Sequence, residues 1–421
     1  MLVIKNVAQI LTLQGGPAPR VGSAMAELGI IQNGTILVRA DRITWVGPTK
    51  DLPVRDLSRR YQILDGMGLD LVALPGFVDS HTHPIFAGTR ALEYELRSQG
   101  KSYQEIAAGG GGIQASVRQV KGATVDQLVT RAERYFQLFL AHGTTTVEAK
   151  SGYGLSLEHE IKMLEALAIL RTRSRLEIVP TFLGAHDFPE NHRETRDDYL
   201  REVTQDMIPK VAREKLAAYC DVFCDHGYFT VDEARSILEA AKGAGLGIRI
   251  HAEQLARSGG ARLAAELGAT SADHLEWVDD TDIEALSKAG TVATLLPGAA
   301  FNLGLARYPP ARKLIAAGVP VALATDFNPG SCFTLNMQLI LSIACSQMHM
   351  TPAETITAAT INGAHSLGCS RRLGSIEEGK QADIVLMDVG DYREIPYFFG
   401  VNHCLVAIKK GNVVVNRLEN P

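Results

Sequence analysis

Residues 76–83 read "GFVDSHTH", and they begin a series of eight short apolar runs that decides the fold. Each run has the length and the apolar content of a buried strand. The other seven runs follow along the middle of the chain: "TTTVEAKSGYG" at 144–154, "LEIVPTFLGAH" at 176–186, "CDVFCDHGYF" at 220–229, "GIRIHAEQ" at 247–254, "ATSADHLEWV" at 269–278, "TVATLLP" at 291–297 and "PVALATDFNPG" at 320–330. The sequence therefore predicts eight strands in this region.

Segments with helical periodicity separate these strand candidates. The clearest are "TVDQLVTRAERYFQLFLAHG" at 124–143, "SLEHEIKMLEALAILR" at 156–171 and "TVDEARSILEAAKGAG" at 230–245. Strands that alternate with helices indicate parallel βαβ units. Eight such units predict a (β/α)8 TIM-like barrel of the α/β class, in which the chemistry lies at the C-terminal ends of the strands.

Both ends of the chain differ from this middle. Short β-branched runs alternate with turn signals, which predicts strands and hairpins. These runs are "LVIKNV" at 2–7, "TILVRADRITWVG" at 35–47, "YQILDGMG" at 61–68, "ADIVLMDV" at 382–389 and "HCLVAIKKGNVVV" at 403–415. We therefore predict a small β-sandwich domain formed by residues 1–70 and 375–421, beside a catalytic barrel over residues 71–374.

Charge and composition argue against several classes of partner. The chain has 421 residues with a net charge of -5, and its 42 Lys and Arg residues are scattered rather than clustered. It therefore shows no basic excess of the kind that draws a protein to phosphate backbones. No apolar run approaches the ~20 residues needed to cross a bilayer, and six irregularly placed cysteines are typical of reduced intracellular thiols. We expect a cytoplasmic protein that binds neither nucleic acid nor membrane.

Two histidines one residue apart end the first strand candidate. Residues two apart on a strand project to the same side, so His81 and His83 can hold one ion. His251 at the fifth strand end adds an imidazole, and Asp326 at the eighth adds a carboxylate. Such nitrogen and oxygen ligands bind a divalent metal and leave a position for water. A lone His-x-His is a weak signal, but these four residues together predict a hydrolytic metal site.

Other polar residues fall at further strand ends. Tyr153 follows the second strand candidate, His186 ends the third and His274 lies on the sixth. In related barrels the fourth strand end can carry a second metal or a bridging lysine. Here Asp225 and His226 lie at that end, and no lysine stands there. We therefore predict a single divalent metal ion per chain.

Longer motifs around these residues resemble those of the imidazolonepropionase family of the amidohydrolase superfamily. The specific ones are "FAGTR" at 86–90, "AGGGGI" at 108–113, "KSGYG" at 150–154 and "GAHDFP" at 184–189, and the resemblance extends over nearly the whole chain. It implies that a small molecule, 4-imidazolone-5-propanoate, is opened to N-formimino-L-glutamate in histidine degradation. It also implies one zinc or iron ion and a barrel with a flanking β-sandwich, usually as a homodimer.

The residues are consistent with that reaction. A divalent metal lowers the pKa of bound water from 15.7 to about 7, which provides hydroxide for attack on the ring carbonyl. Asp326 can accept the proton, and His274 can polarise the carbonyl oxygen or stabilise the oxyanion. By resemblance the residue three after His251 is also catalytic. It is Gln254 here, which cannot act as an acid or base and is expected to hydrogen-bond the ring. Glu253 should point away from the barrel interior because it is expected to lie on an extended strand.

A cation is expected near the carboxylate of this substrate. Arg90 can form a bidentate pair with a carboxylate, and the plainer alternative is that it forms a salt bridge beneath its loop. The resemblance groups Arg90 with six other predicted substrate-binding residues, which are Tyr153, His186, Gln254, Asn328, Gly330 and Ser331.

Two other functions stay open. Another cyclic amidohydrolase or a nucleobase deaminase would keep the four ligands and change the pocket, although "FAGTR" and "KSGYG" argue against this. A non-catalytic barrel that serves as a scaffold should have lost ligands, and none of the four is missing. Zinc and iron both accept histidine and carboxylate ligands, so the choice between them also stays open.

Overall fold

The computed structural model describes residues 1–53, 61–102, 105–106, 109–192 and 195–418. Parts of two predicted features lie outside these ranges, namely residues 54–60 and 419–421 of the predicted terminal domain and residue 108 of the glycine motif. The eight strand candidates between residues 76 and 330 all lie within them.

Strands occur in two separate sheets of the described structure. In chain order they are β1 (Leu2–Leu11), β2 (Ile30–Arg39), β3 (Arg42–Pro48), β4 (Gln62–Asp65), β5 (Leu71–Pro75), β6 (Phe77–Asp79), β7 (Thr144–Lys150), β8 (Glu177–Ala185), β9 (Tyr219–Cys224), β10 (Gly247–Ala252), β11 (Ser271–His274), β12 (Val292–Leu295), β13 (Val321–Leu323), β14 (Ile384–Asp388), β15 (Cys404–Lys409) and β16 (Asn412–Asn416). Each of the eight predicted middle strands is present.

Strands β6 to β13 form the parallel barrel. Each pairs with the next along the chain. The barrel is closed just beyond the last strand by a parallel bridge between Thr82 and Phe327, where the Asp326 N–H donates to the His81 carbonyl at 3.1 Å. Below this point the Asp79 carboxylate accepts hydrogen bonds from Thr325 N and Oγ1 at 3.0 and 2.6 Å. The predicted (β/α)8 barrel is confirmed, and its closure joins the segments that carry His81 and Asp326.

Helices lie between the barrel strands and after them. They are α1 (Ala91–Ser98), α2 (Ile113–Gly122), α3 (Val125–Ala141), α4 (Leu157–Arg173), α5 (Arg196–Arg201), α6 (Ile208–Arg213), α7 (Val231–Gly243), α8 (Gly260–Leu267), α9 (Asp280–Ala289), α10 (Pro297–Leu303), α11 (Ala311–Ala316), α12 (Met337–Met348), α13 (Pro352–Thr357), α14 (Gly363–Ser366) and α15 (Glu394–Tyr397). In the described ranges, no helix is both long and apolar enough to span a membrane.

Local sequence explains where the predicted helices begin. Thr124 forms a capping box with Gln127 at the start of α3, and Thr230 does so with Glu233 at the start of α7. Each box satisfies two backbone N–H groups that a helix N-terminus leaves unpaired. The buried apolar side chains of α3 recur at three- and four-residue spacing, so one face of the helix packs against the barrel.

The second sheet is built from both ends of the chain. Its strand order is β16-β15-β14-β5-β1-β2-β3, and β4 pairs with β1. A separate apolar core lies on it, to which β1 contributes Ile4, β2 Val38, β14 Ile384 and β15 Ile408. The extra β domain predicted from both termini is therefore confirmed. Because β5 belongs to this sheet, the N-terminal part of the sheet extends to Pro75. The domain boundaries at residues 70/71 and 374/375 stay a prediction.

Candidate metal centre and active site

The four predicted metal ligands meet at the C-terminal mouth of the barrel. His81 Nε2 lies 3.3 Å from His83 Nε2, which lies 3.4 Å from His251 Nε2. Asp326 Oδ1 lies 3.7 Å from His81 Nε2 and 3.5 Å from His83 Nε2. All four side chains are buried. Ligand atoms held about 2.1 Å from one tetrahedral ion are about 3.4 Å apart, so this spacing fits a single divalent ion.

The opposite ring nitrogens of two ligands face carboxylates deeper in the barrel. His81 Nδ1 lies 2.7 Å from Asp273 Oδ2, and His251 Nδ1 lies 3.0 Å from Asp221 Oδ2. A carboxylate at Nδ1 fixes the imidazole with its Nε2 lone pair toward the metal position. The donor set therefore fits a transition metal.

The protonation of the histidines also suits a metal site. Burial lowers the pKa of His81 and His83 well below the ordinary value, and it lowers the pKa of His251 against the opposing effect of Asp221. A neutral imidazole is the form that binds metal. Burial likewise raises the pKa of Asp326 to about 6, although hydrogen bonds and the neighbouring His274 favour its charged form.

His274 lies beside these ligands. One nitrogen or oxygen atom from each of His81, His274 and Asp326 lies within 4.8 Å of the other two. Burial disfavours the imidazolium at His274, but the nearby Glu276 carboxylate, with Asp326, outweighs burial and raises the pKa of His274. A protonated imidazole at this position can donate a hydrogen bond to a substrate oxygen.

Several residues at the barrel mouth have left-handed backbone conformations. The φ angle is +81° at His274, +72° at Leu275, +57° at Glu253 and +53° at Asp326. Such angles are uncommon for residues other than glycine, and they concentrate at functional sites where surrounding contacts hold them. These bends turn the chain sharply at the ends of β10, β11 and β13, where His251, His274 and Asp326 lie.

A cavity of about 680 Å³ opens beside the predicted ligands, and His83, His251 and Asp326 line it. It reaches six of the seven predicted substrate residues and several others that the sequence motifs did not indicate. The predicted residues are Arg90, Tyr153, His186, Gln254, Asn328 and Ser331; the additional ones include Arg97, Lys101, Phe223, Tyr228, Glu276, Trp277 and Arg307. The cavity therefore has an aromatic wall and a set of basic side chains around the metal position.

Arg90 lines this cavity and is also part of an ion pair. Its Nε and Nη2 both donate to Glu93 Oε2, at 2.9 and 2.8 Å, and the other Glu93 oxygen accepts the Gly112 N–H at 3.2 Å. Gly330 packs against the guanidinium, and a Cβ there would overlap it. Gly330 itself is absent from the cavity wall in the described structure, so its contact is with Arg90.

Asn328 organises the loop after the last barrel strand. Its Oδ1 accepts the N–H groups of Gly330 and Ser331 at 2.8 and 2.7 Å, and its Nδ2 donates to the Asp326 carbonyl at 2.6 Å and to Ser331 Oγ at 2.8 Å. Ser331 Oγ in turn donates to Asp326 Oδ2 at 3.3 Å. Asn328 therefore positions Ser331 beside the proposed ligand Asp326.

The buried carboxylate of Glu160 holds the loop that carries Tyr153, and the same loop contacts His186. Glu160 accepts the N–H groups of Gly152 at 3.0 Å and Gly154 at 2.7 Å, on either side of Tyr153. The Gly152 carbonyl lies 2.9 Å from His186 Nδ1, and burial lowers the pKa of His186 to about 3. His186 is therefore neutral, with Nδ1 donating to Gly152.

In the segment after β10, the side chain of Gln254 faces the cavity and that of Glu253 faces away from it. Gln254 lines the cavity, and its N–H donates to Asp225 at 2.8 Å. Glu253 points away from the cavity, as expected, and accepts N–H groups at the start of α8, including Ser258 at 2.6 Å and Gly259 at 2.9 Å. The expected reason, an extended strand, is wrong, because Glu253 has a φ of +57°.

A buried ionic cluster under the histidines was missed by the sequence reasoning. It consists of Glu148, Lys150, Asp221, Arg249 and Asp273, all of which are fully buried. A signal for it existed: Glu148 and Lys150 are two apart on β7, and Arg249 is two before His251 on β10. Charged residues in such register share the inward face of the barrel with the ligands.

Comparison with known proteins agrees with this architecture. A model of the amidohydrolase family matches residues 72–414. The imidazolonepropionase of Solibacter usitatus is 50% identical over 412 residues, 98% of each chain, and that of Geobacillus kaustophilus is 47% identical over 418 residues, 99% of this chain and 98% of the relative. Among solved structures, E. coli guanine deaminase has a TM-score of 0.74 at 15% identity and covers 99% of this chain and 100% of that one. An adenosine deaminase from Xanthomonas campestris with bound zinc has a TM-score of 0.71 at 18% identity, covering 99% of this chain and 93% of that one.

The barrel, the strand-end ligands and the family match define the class: the chain belongs to the amidohydrolase family. The deaminase structures share its fold at low identity. Within that family, the near full-length identity of 42–50% to curated relatives shows that the chain belongs to the imidazolonepropionases. The family resemblance indicated by the motifs is confirmed.

Proposed function

We propose that this chain hydrolyses the ring amide of 4-imidazolone-5-propanoate and releases N-formimino-L-glutamate, a step of histidine degradation. The observation that carries the proposal is the convergence of three imidazole nitrogens and one carboxylate oxygen at the floor of a basic, aromatic cavity. The bond that breaks joins the ring carbonyl carbon to nitrogen, and water supplies the oxygen of the new carboxylate.

One divalent ion, zinc or iron, would be held by His81, His83, His251 and Asp326. When bound, it supplies a Lewis acid that lowers the pKa of water and polarises a carbonyl. A single ion is favoured because Asp225, at the fourth strand end, is already engaged by backbone N–H groups of residues 254–256.

The protein side chains divide the proton transfers between them. Asp326 Oδ1 faces the histidine ligands, so Oδ2, next to Ser331 Oγ, is the oxygen that takes the proton of the attacking water. The same proton can then pass to the ring nitrogen as the bond breaks. His274 donates to the developing oxyanion. The Gln254 amide does not ionise near neutral pH, so its expected role is to hydrogen-bond the ring.

Basic side chains on the cavity wall suit an anionic substrate. Arg90, Arg97, Lys101 and Arg307 all line it. Arg90 lies between Glu93 and the cavity, and its planar guanidinium is suited to the propionate carboxylate. Tyr153 and His186, which lie 5.2 Å apart by ring centroids, offer an aromatic surface and hydrogen-bonding groups to the imidazolone ring.

Hydrolysis of the named substrate tests the proposal. Purified protein mixed with freshly prepared 4-imidazolone-5-propanoate should abolish the ultraviolet absorbance of the ring and form N-formimino-glutamate. Guanine, cytosine and dihydroorotate serve as comparison substrates and should remain unchanged. Turnover of one of these in place of the imidazolone would support the deaminase or other amidohydrolase alternative, and turnover of none of the four would support the scaffold alternative.

Removal of the metal should abolish activity reversibly. We expect elemental analysis to find about one zinc or iron per chain, dialysis against a chelator to remove both metal and activity, and addition of zinc or iron to restore activity in proportion to occupancy. A His251→Ala variant should fail to regain metal. Full activity in metal-free protein would contradict the assignment.

Arg90 variants should separate the carboxylate clamp from a structural ion pair. Because lysine keeps the charge but loses the planar fork, we expect kcat/KM to fall from Arg90 to Arg90→Lys and again to Arg90→Met, with a first loss of ~1.5–3 kcal/mol. Metal content should stay constant. Glu93→Gln is the control, since it weakens the ion pair and keeps the guanidinium. Lower melting temperatures with unchanged kcat/KM in both Arg90 variants would assign Arg90 to structure alone.

A homodimer and a cytoplasmic location complete the proposal. Tyr397, Phe398, Phe399 and Val401 are exposed, and the exposed ring of Phe301 lies 6.4 Å from that of Phe399. Exposed apolar side chains that cluster in this way are typical of an interface. We expect light scattering to give the mass of a dimer, and Phe399→Glu to give a monomer; a monomeric wild type would contradict the dimer.

The cysteines support the proposed cytoplasmic location. All six are free thiols, which suits a reducing compartment.

A further inference from the structure

Lys150 is a charged residue at the centre of the barrel for which the proposed reaction has no use. Its side chain is fully buried. Its Nζ lies 2.6 Å from Glu148 Oε1, 2.7 Å from Asp221 Oδ2 and 4.0 Å from Asp273 Oδ2. Three carboxylates from three strands, β7, β9 and β11, therefore surround one ammonium group.

Each of these carboxylates reaches the proposed metal site by a different contact. Asp273 Oδ2 lies 2.7 Å from His81 Nδ1. Asp221 Oδ2 lies 3.0 Å from His251 Nδ1. Glu148 Oε2 accepts the N–H of Thr82 at 3.2 Å, and Thr82 is the residue between the first two histidines. One ammonium is thus linked through three carboxylates to the segments that carry all three histidine ligands.

Arg249, the second cation of the cluster, has different partners. Its Nη2 donates to the Ser80 carbonyl at 2.9 Å, and its Nη1 donates to the Ser366 carbonyl at 3.0 Å. Its nearest carboxylate oxygens are those of Asp273 at 3.4 Å and Glu148 at 3.9 Å. Arg249 therefore donates mainly to backbone carbonyl groups. Lys150 is the cation in close contact with the carboxylates of Glu148 and Asp221.

Removing that counter-charge would leave buried carboxylates unpaired. An ionised carboxylate in a protein interior is costly unless it is paired, so the loss of the ammonium partner favours a rearrangement of the carboxylates around it. Asp221 and Asp273 could then no longer hold the Nδ1 atoms of His251 and His81. Carboxylates behind metal-bound histidines typically change metal affinity 10- to 100-fold when they are lost.

We propose that Lys150 is a positioning residue of the metal centre, which fixes His81, His83 and His251 for the metal through the carboxylates of Asp273, Glu148 and Asp221. The proposal rests on the metal site of the proposed function. It assigns to Lys150 a contribution to metal affinity in addition to its contribution to folding.

The test measures zinc affinity directly. Metal-free wild-type protein and Lys150→Met are titrated with zinc in competition with a chromogenic chelator, and melting temperatures are recorded with and without zinc. Lys409→Met is the matched control, because Lys409 is also buried and pairs with Asp383 at 2.6 Å and Glu177 at 3.0 Å, at the end of β15 in the terminal sheet. Lys150→Gln, which is neutral but keeps a donor, is the second variant.

We expect Lys150→Met to bind zinc about 10- to 100-fold more weakly than the wild type, with a smaller loss in Lys150→Gln. Lys409→Met should lower the melting temperature and leave zinc affinity unchanged. Unchanged affinity in a folded Lys150 variant would overturn the proposal. So would failure of both Lys150 variants to fold without metal while Lys409→Met folds. Failure of the wild type to bind zinc or iron would instead contradict the proposed metal site itself.

Discussion

Replacing Asp326 by asparagine is expected to lower kcat on the order of 10³-fold. The asparagine amide keeps the size of the side chain and can still contact a metal through its oxygen. It cannot accept the proton of the attacking water, and it removes the one negative charge of the proposed ligand set. The measurement is kcat at saturating 4-imidazolone-5-propanoate, with the metal content of the same sample determined in parallel.

Asp280→Asn is the control for this change, because Asp280 is an exposed carboxylate on α9 that pairs with Lys313. We expect it to leave kcat unchanged. A fully metal-loaded Asp326→Asn enzyme that retains more than about a tenth of the wild-type kcat would show that another group takes the proton. His274 would then be the remaining candidate.

Replacing His274 by alanine is expected to lower kcat by about 10²- to 10³-fold, which is the usual effect of removing a donor to an oxyanion. Gln254→Ala should cost less, because an amide only orients the ring and does not meet the developing charge. The two residues lie on the same cavity wall, so the comparison separates charge stabilisation from ring binding. Equal or reversed losses in kcat would contradict this division of roles.

The sequence predicted the barrel and the position of the ligand set well, for a physical reason. Side chains alternate along a strand, and the carboxyl ends of parallel strands share one edge. His81 and His83 therefore had to face the same interior, and His251 and Asp326 had to reach the same end. The structure brings these four residues together as predicted, while their roles as ligands stay a prediction.

Features that depend on contacts between distant segments could not be predicted. The partners of Lys150 come from three different strands, so its pairing with Asp221 follows only from the closed barrel. The pairing of Arg90 with Glu93 and the contact of Glu160 with Gly154 are local along the chain, but the residue pattern did not identify either partner. Backbone strain was also missed: Glu253 has a φ of +57°, which no residue pattern had indicated.

The most direct test of the account is to follow the oxygen of water into the product. The reaction is run in ¹⁸O-water with 4-imidazolone-5-propanoate, and the product is analysed by mass spectrometry and fragmentation. Hydrolysis at the ring carbonyl predicts N-formimino-glutamate with one ¹⁸O in the newly formed carboxylate. Label on the one-carbon group would show attack at the carbon between the two ring nitrogens and would contradict the proposed reaction. A product without label, or a substrate that remains unchanged, would contradict it as well.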